Sequence, residues 1–236
     1  MVDKISKANK SGLVIMTVCI ILVVLAGLAW GIGRYVFVDT LSRFSRVLYS
    51  AKPGKLDKFL KDCQTRHAHL SRKENGTLLV NLQNKQTVKL IDSPDADGSR
   101  VTYAYLLFVP EINTHLIAKR WGEQRRYVLL NNKTGLTQTV WNLPKLSPRK
   151  NRLAVASHDL VSGFTVNGIQ VFDVASGNYV KQFEQELDWG AANPRWLNND
   201  AFVVDKYIYD TRSCFTENLA GRVTIRRAAD RWHIEN

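Results

Sequence analysis

Residues 151–183 read NRLAVASHDLVSGFTVNGIQVFDVASGNYVKQF, and three short runs inside them decide the fold. Runs 153–157, 168–174 and 179–183 are rich in Val, Ile, Phe and Tyr, are shorter than an ordinary helix, and are bounded by turn residues. Ala175-Ser176-Gly177-Asn178 joins the last two as a hairpin turn. Upstream, Asn132-Lys133-Thr134-Gly135 is a turn of the same kind, with Gly135 and Gly177 placed 42 residues apart. Trp141 and Trp189, Asn151 and Asn199, and Leu153 and Ala201 are each separated by 48. Further β-rich runs occupy 78–82, 87–91, 101–109, 115–118, 127–130, 201–207 and 222–226. A repeat of about 40 to 50 residues with several strands per unit marks propeller blades. Four such units would fill residues 78–236. The expectation is an all-β soluble domain, β-propeller-like with about four blades in a closed ring or open arc, or a twisted β-sandwich.

One stretch carries a resemblance. Leu146-Ser147-Pro148-Arg149-Lys150-Asn151-Arg152-Leu153-Ala154-Val155-Ala156-Ser157, followed by Asn167-Gly168-Ile169-Gln170-Val171-Phe172-Asp173-Val174 and Ser176-Gly177, resembles a blade of the WD-repeat and TolB-like propellers. It departs from them at Arg149-Lys150, where those families carry Asp-Gly. Asp188-Trp189-Gly190, Pro194 and Trp196 are similar to small secreted proteobacterial proteins of the same blade type. The likeness spans residues 141–200 and speaks to fold. It implies loops and blade faces that hold partners, which favours binding over catalysis.

Outward from the β region, residues 13–32 read LVIMTVCIILVVLAGLAWGI and carry no charge. At about 1.5 Å per residue such a run spans about 30 Å of hydrocarbon, and it is longer than a secretory h-region, so a retained anchor is favoured over a cleaved signal. The chain then divides into a basic cytoplasmic tail (1–12), a transmembrane helix (13–33), a juxtamembrane helical connector (34–77) and the β domain (78–236). Trp30, Arg34 and Tyr35 mark one membrane interface, with Arg43 and Arg46 beyond it. Gly27 and Gly31, and Ala29 and Gly33, place small residues four apart, a spacing that lets another helix approach closely in lipid. A short basic tail before a first hydrophobic segment points to an N-terminus in the cytoplasm and an exported domain. Taken with the resemblance to secreted proteobacterial proteins, which implies a bacterial setting, the expected location is the inner membrane, with the β domain in the periplasm.

The formal charge of +12 raises the question of nucleic acid. Residues 1–12 contribute +2, residues 34–75 contribute +6 and the rest +4, so most of the excess flanks the anchor. Basic residues near anionic lipid each gain about 1 kcal/mol. With no helix-turn-helix, zinc-finger or aromatic RNA-binding signature, the partners expected are lipid and an integral membrane protein, and not nucleic acid.

Chemical motifs are sparse. Ser157-His158-Asp159 names a triad, but neighbours on a strand point to opposite faces and form no relay. Cys63, His67 and His69 match no common zinc spacing. Asp92, Asp95 and Asp97 before Gly98 lack the regular spacing and distal Glu of an EF-hand. No catalytic residue, metal or cofactor is assigned. Cys63 and Cys214 are the two cysteines outside the span and are candidates for a disulfide in an oxidising compartment. Trp189, Arg195 and Trp196 are candidates to anchor a partner, because Trp and Arg dominate binding hot spots. The expected function is a membrane-anchored accessory subunit that binds a protein. A small-ligand or glycan sensor is the alternative, and a membrane-anchored hydrolase the third reading.

Overall fold

The computed structural model describes residues 40–42, 44, 45, 62, 65–94, 100–175, 177–210 and 216–235. The transmembrane helix expected at 13–33, with the helix-packing candidates Gly27, Ala29, Gly31 and Gly33, lies outside them, as do Trp30, Arg34, Tyr35, Arg43, Arg46, Cys63 and Cys214. Among the described residues no helix is long and apolar enough to cross a membrane.

The described chain from Ser71 onward is all-β, with four antiparallel sheets built from strands in sequence order. The first sheet holds β1 (Ser71–Glu74), β2 (Thr77–Asn81) and β3 (Thr87–Ile91). The second holds β4 (Ser93–Pro94), β5 (Arg100–Val109), β6 (Thr114–Trp121), β7 (Gln124–Asn131) and β8 (Thr137–Val140). The third holds β9 (Lys145–Leu146), β10 (Arg152–Ser157), β11 (Gly168–Ala175) and β12 (Asn178–Glu186). The fourth holds β13 (Gly190–Asn198), β14 (Ala201–Asp210), β15 (Thr216–Ala228) and β16 (Arg231–Glu235). Hydrogen-bonded neighbours within each sheet are consecutive in sequence, so local pairing suffices to build each sheet.

The repeat acquires a structural meaning. Leu153 and Ala201 sit on β10 and β14, the second strands of the third and fourth sheets. The two glycine turns precede the last strands of the second and third sheets. Asn131 Oδ1 accepts the backbone N–H groups of Lys133 and Thr134 at 2.9 Å each, and Gly135 closes that turn at φ +73°. Gly177 has φ +86°, which favours glycine, and a Cβ there would lie in tight contact, 3.2 Å from the Asn131 side chain. Equivalent hairpins therefore abut at one end of successive sheets.

The β region begins at Ser71, earlier than the boundary at 78 read from the sequence, because Ser71-Arg72-Lys73-Glu74 shows no apolar alternation. Three of its residues are exposed, as befits a strand at a sheet edge.

Three buried clusters join consecutive sheets. Leu78, Val80, Ile117 and Leu130 lie between the first and second. Leu107, Leu116, Leu129, Leu153 and Phe172 lie between the second and third, together with Leu41 and Phe44 from the helical residues 40–42, 44 and 45. Ile169, Val171, Phe202, Val204 and Ile225 lie between the third and fourth. Each such side chain contributes about 1.5 to 3 kcal/mol on removal from water.

Two polar devices sit within this apolar frame. Arg152, at 7% exposure, sends Nε to Asp173 Oδ1 at 2.9 Å and one terminal nitrogen to the Asn199 carbonyl at 2.7 Å and to Asp200. Its guanidinium lies 5.6 Å above the Trp232 ring. Burial opposes its charge, but the bonds to Asp200 and Asp173 outweigh this and strengthen its hold on the proton. In the second sheet, Tyr105 OH meets His115 Nδ1 at 2.9 Å and His115 Nε2 meets Asn132 Oδ1 at 3.1 Å. The Asn132 amide nitrogen donates to Asn113 Oδ1, so Asn132 Oδ1 is an acceptor. Nε2 must then carry the hydrogen, leaving Nδ1 to accept from Tyr105. His115 is thereby buried as a neutral tautomer, and its pKa is lowered chiefly by burial, with the Asn132 bond opposing and the charge of His67 adding.

Replacing Arg152 by Met keeps its bulk but removes three hydrogen bonds to charged or carbonyl partners, and should cost about 2 to 3 kcal/mol. Asp200→Asn should cost less than about 1 kcal/mol, because Asp200 is more than half exposed. Chemical denaturation of the detergent-solubilised chain measures both. For His115 the folded pKa lies below the unfolded value near about 6.5, so the unfolded chain takes up the proton first and stability falls with acidification. Its contribution should be complete above about pH 6.5 and be lost as pH drops toward the folded value. His115→Gln should flatten that part of the profile of denaturation midpoint against pH.

Candidate functional site

A cleft of about 760 Å³ opens where the first strands of the third and fourth sheets, β9 and β13, face the helical residues 40–42, 44 and 45. Among the described residues both are edge strands of their sheets. The polar wall of the cleft includes Lys145 on β9, His158 just after β10, Arg195 on β13, and Ser42 and Ser45 on the helical segment. Lys145 Nζ donates to Ser45 Oγ. Thr40 on the helical segment is held by Glu111, whose Oε1 accepts from both the backbone N–H and the hydroxyl of Thr40 at 2.9 Å. Burial would raise the Glu111 pKa, but those bonds outweigh it and hold the carboxyl below its usual value.

Arg195 stands on a bent strand. Asn193 has φ +51°, Pro194 follows, and the pairing of β13 with β14 slips between Ala192 and Arg195. This bulge aims Arg195 at Asp205, with contacts of 2.7 and 3.3 Å. Asn193 adds a bond of 3.0 Å to the same carboxylate, and Arg222 approaches it at 3.4 Å. Arg195 first of all, then Asn193 and Arg222, overcome desolvation and lower the Asp205 pKa.

The three residues read as partner anchors separate in role. Arg195 and Trp196 both line the cleft. The Trp196 indole N–H donates to the Lys145 carbonyl at 3.0 Å and the ring packs against Phe202 and Trp232. Trp189 is buried in the cluster between the third and fourth sheets, with the Lys206 ammonium 5.3 Å from its ring.

Ser157, His158 and Asp159 serve separate ends. Ser157 is buried on β10 and opposite Gly168. His158 stacks on Tyr207, with ring centres 4.7 Å apart. Its Nε2 lies 2.9 Å from Glu217 Oε2, in a direction that does not meet hydrogen-bond geometry, so this is an ion-pair contact only when the imidazole is protonated. Asp159 organises the following loop, accepting from the backbone of Ser162, Gly163 and Thr165; these bonds outweigh desolvation and lower its pKa. His67 packs on the Tyr105 ring at 5.9 Å, and among the described residues no group of metal-ligating side chains assembles. Asp92 is engaged by Lys73 at 2.8 Å and by the Tyr103 backbone at 2.9 Å.

Sequence reasoning missed Lys145, His158, Ser42 and Ser45 as cleft residues. They come from three separate parts of the chain, and Lys145 stands on a strand of two residues that leaves no periodic trace. No protein-family model, curated protein or solved structure matches the chain.

One glycine controls the cleft wall. A Cβ on Gly190 would fall 2.1 Å from His158 Cδ2, so Gly190→Ala should expel the imidazole from its stack on Tyr207 and lower stability by about 1 to 3 kcal/mol. In a His158→Ala background the same substitution should cost much less. Thermal unfolding of the two single variants and the double variant measures this coupling.

Proposed function

We propose that this chain is a single-pass, membrane-anchored accessory subunit, with a cytoplasmic N-terminus and a periplasmic, propeller-like β domain that holds a protein partner in the cleft between β9 and β13. The observation that carries the reading is the convergence of Arg195 and Trp196 on one concave site. A rigid aromatic and a guanidinium beside a concavity suit partner recognition. The propeller-like reading draws on sheets assembled from consecutive strands, with equivalent hairpins abutting at one end. The uncharged run at 13–32 supplies the anchor, and the small residues Gly27, Ala29, Gly31 and Gly33 supply a face for an integral membrane partner. A disulfide between Cys63 and Cys214 belongs to the same reading, since export supplies the oxidising compartment.

A small-ligand sensor is the second reading, favoured by the cleft volume, which falls in the range of about 300 to 1,000 Å³ usual for ligand pockets. The test has two arms. A C-terminal alkaline phosphatase fusion should be active, and mild-detergent extraction should recover a stoichiometric protein partner. Arg195→Gln should reduce that recovery about tenfold, equivalent to about 1.4 kcal/mol. An inactive fusion would reverse the topology, and recovery of the chain alone would favour the sensor.

A further inference from the structure

We infer that the β domain itself rests on an anionic bilayer, through the turns that join β2 to β3, β7 to β8 and β9 to β10. This depends on the anchored reading above and on no protein partner. The turns lie at one end of their sheets. The Gln83 N–H donates to the Asn132 carbonyl at 2.9 Å, the Asn84 amide to the Lys133 carbonyl at 3.4 Å, and the Asn132 N–H to the Asn113 carbonyl at 2.9 Å. Asn113 follows the turn that carries Glu111, whose carboxylate holds Thr40 and feels the charge of Lys150 from the third turn. The chain from the expected span at 13–33 therefore joins the described β domain, at Thr40, at this same end. Seven peptide steps separate Gly33 from Thr40 and reach at most about 25 Å, so a span ending there keeps this end near the membrane surface.

Lys85, Lys133 and Arg149 stand exposed in these turns. Lys85 does so from left-handed backbone, at φ +65°, which glycine adopts with less strain. Among the described residues neither Lys85 nor Lys133 forms an ion pair. The carboxylates at this end are bonded to other groups: Glu111 to Thr40, Asp200 to Arg152, and Asp230 to Arg227. Arg227 also approaches Asp200 at 3.8 Å, so Arg149 beside it adds to a positive surplus. Leu136, 52% exposed, follows the β7–β8 turn and supplies an apolar side chain of the kind that enters a headgroup layer. Anionic headgroups attract lysine and arginine held within a Debye length of the surface. Charges spread over three turns, none of them in the cleft, match a plane of headgroups better than a single acidic side chain.

The test reconstitutes the full chain in lipid nanodiscs of phosphatidylcholine alone, or of phosphatidylcholine mixed with phosphatidylglycerol. Lysine acetylation by the uncharged reagent N-acetoxysuccinimide is then followed by mass spectrometry. Lys85 and Lys133 should react about fivefold more slowly on the anionic discs, and about 0.5 M sodium chloride should erase the difference. Lys119, toward the other end of β6, should react alike on both. Equal rates for Lys85 and Lys133 on the two discs overturn the inference while the anchored reading stands. Slowing of Lys119 in their place overturns it too, by turning the basic β6–β7 hairpin to the bilayer. Protection of Lys85 and Lys133 in native membranes but not on anionic discs assigns this end to a protein, and likewise overturns it. A chain that neither enters discs nor floats with liposomes removes the anchored reading and the inference together.

Discussion

The buried guanidinium of Arg152 is the constraint on which the third and fourth sheets depend. It starts β10 and reaches Asp173 on β11 and the Asn199–Asp200 turn that leads into β14. A charge placed at that depth is costly unless its donors are used, and here they meet two carboxylates, a carbonyl and the face of Trp232. Apolar clusters alone allow two twisted sheets to slide, since hydrophobic attraction has no direction. A fixed guanidinium resists such sliding, and beside it the Trp196 indole bond to the Lys145 carbonyl ties β13 directly to β9.

The sheets were legible because their pattern is local. Run 87–91 coincides with β3, and runs 153–157 and 168–174 fall within a residue of β10 and β11. β12 was harder, because Asn178–Glu186 alternates polar residues over most of its length and is largely exposed. β13 left even less trace: Pro194 and the left-handed Asn193 are turn signals, yet both lie inside a strand, where a bulge accommodates them. β1 and β9 escaped for a third reason, since a short edge strand buries too little to need an apolar stripe.

The site was legible only in part. Arg195 and Trp196 stood out by residue type, and both line the cleft. Trp189 stood out on the same grounds and is a core residue, because the chemistry that makes Trp a good anchor also makes it a good filler between sheets. Composition cannot separate the two uses. Trp196 in fact serves both: it lines the cleft while its ring packs on Phe202 and Trp232 of the cluster that also buries Trp189.

The helical residues 40–42, 44 and 45 connect these observations. Leu41 and Phe44 are buried between the second and third sheets, while Ser42 and Ser45 lie on the cleft. The two faces of this segment thus serve core and site at once, as the spacing of a helix requires. The described part of this segment is bonded to the β domain at two points, Thr40 and Ser45, so the wall it gives the cleft is set by Glu111 on one side and by Lys145 on the other.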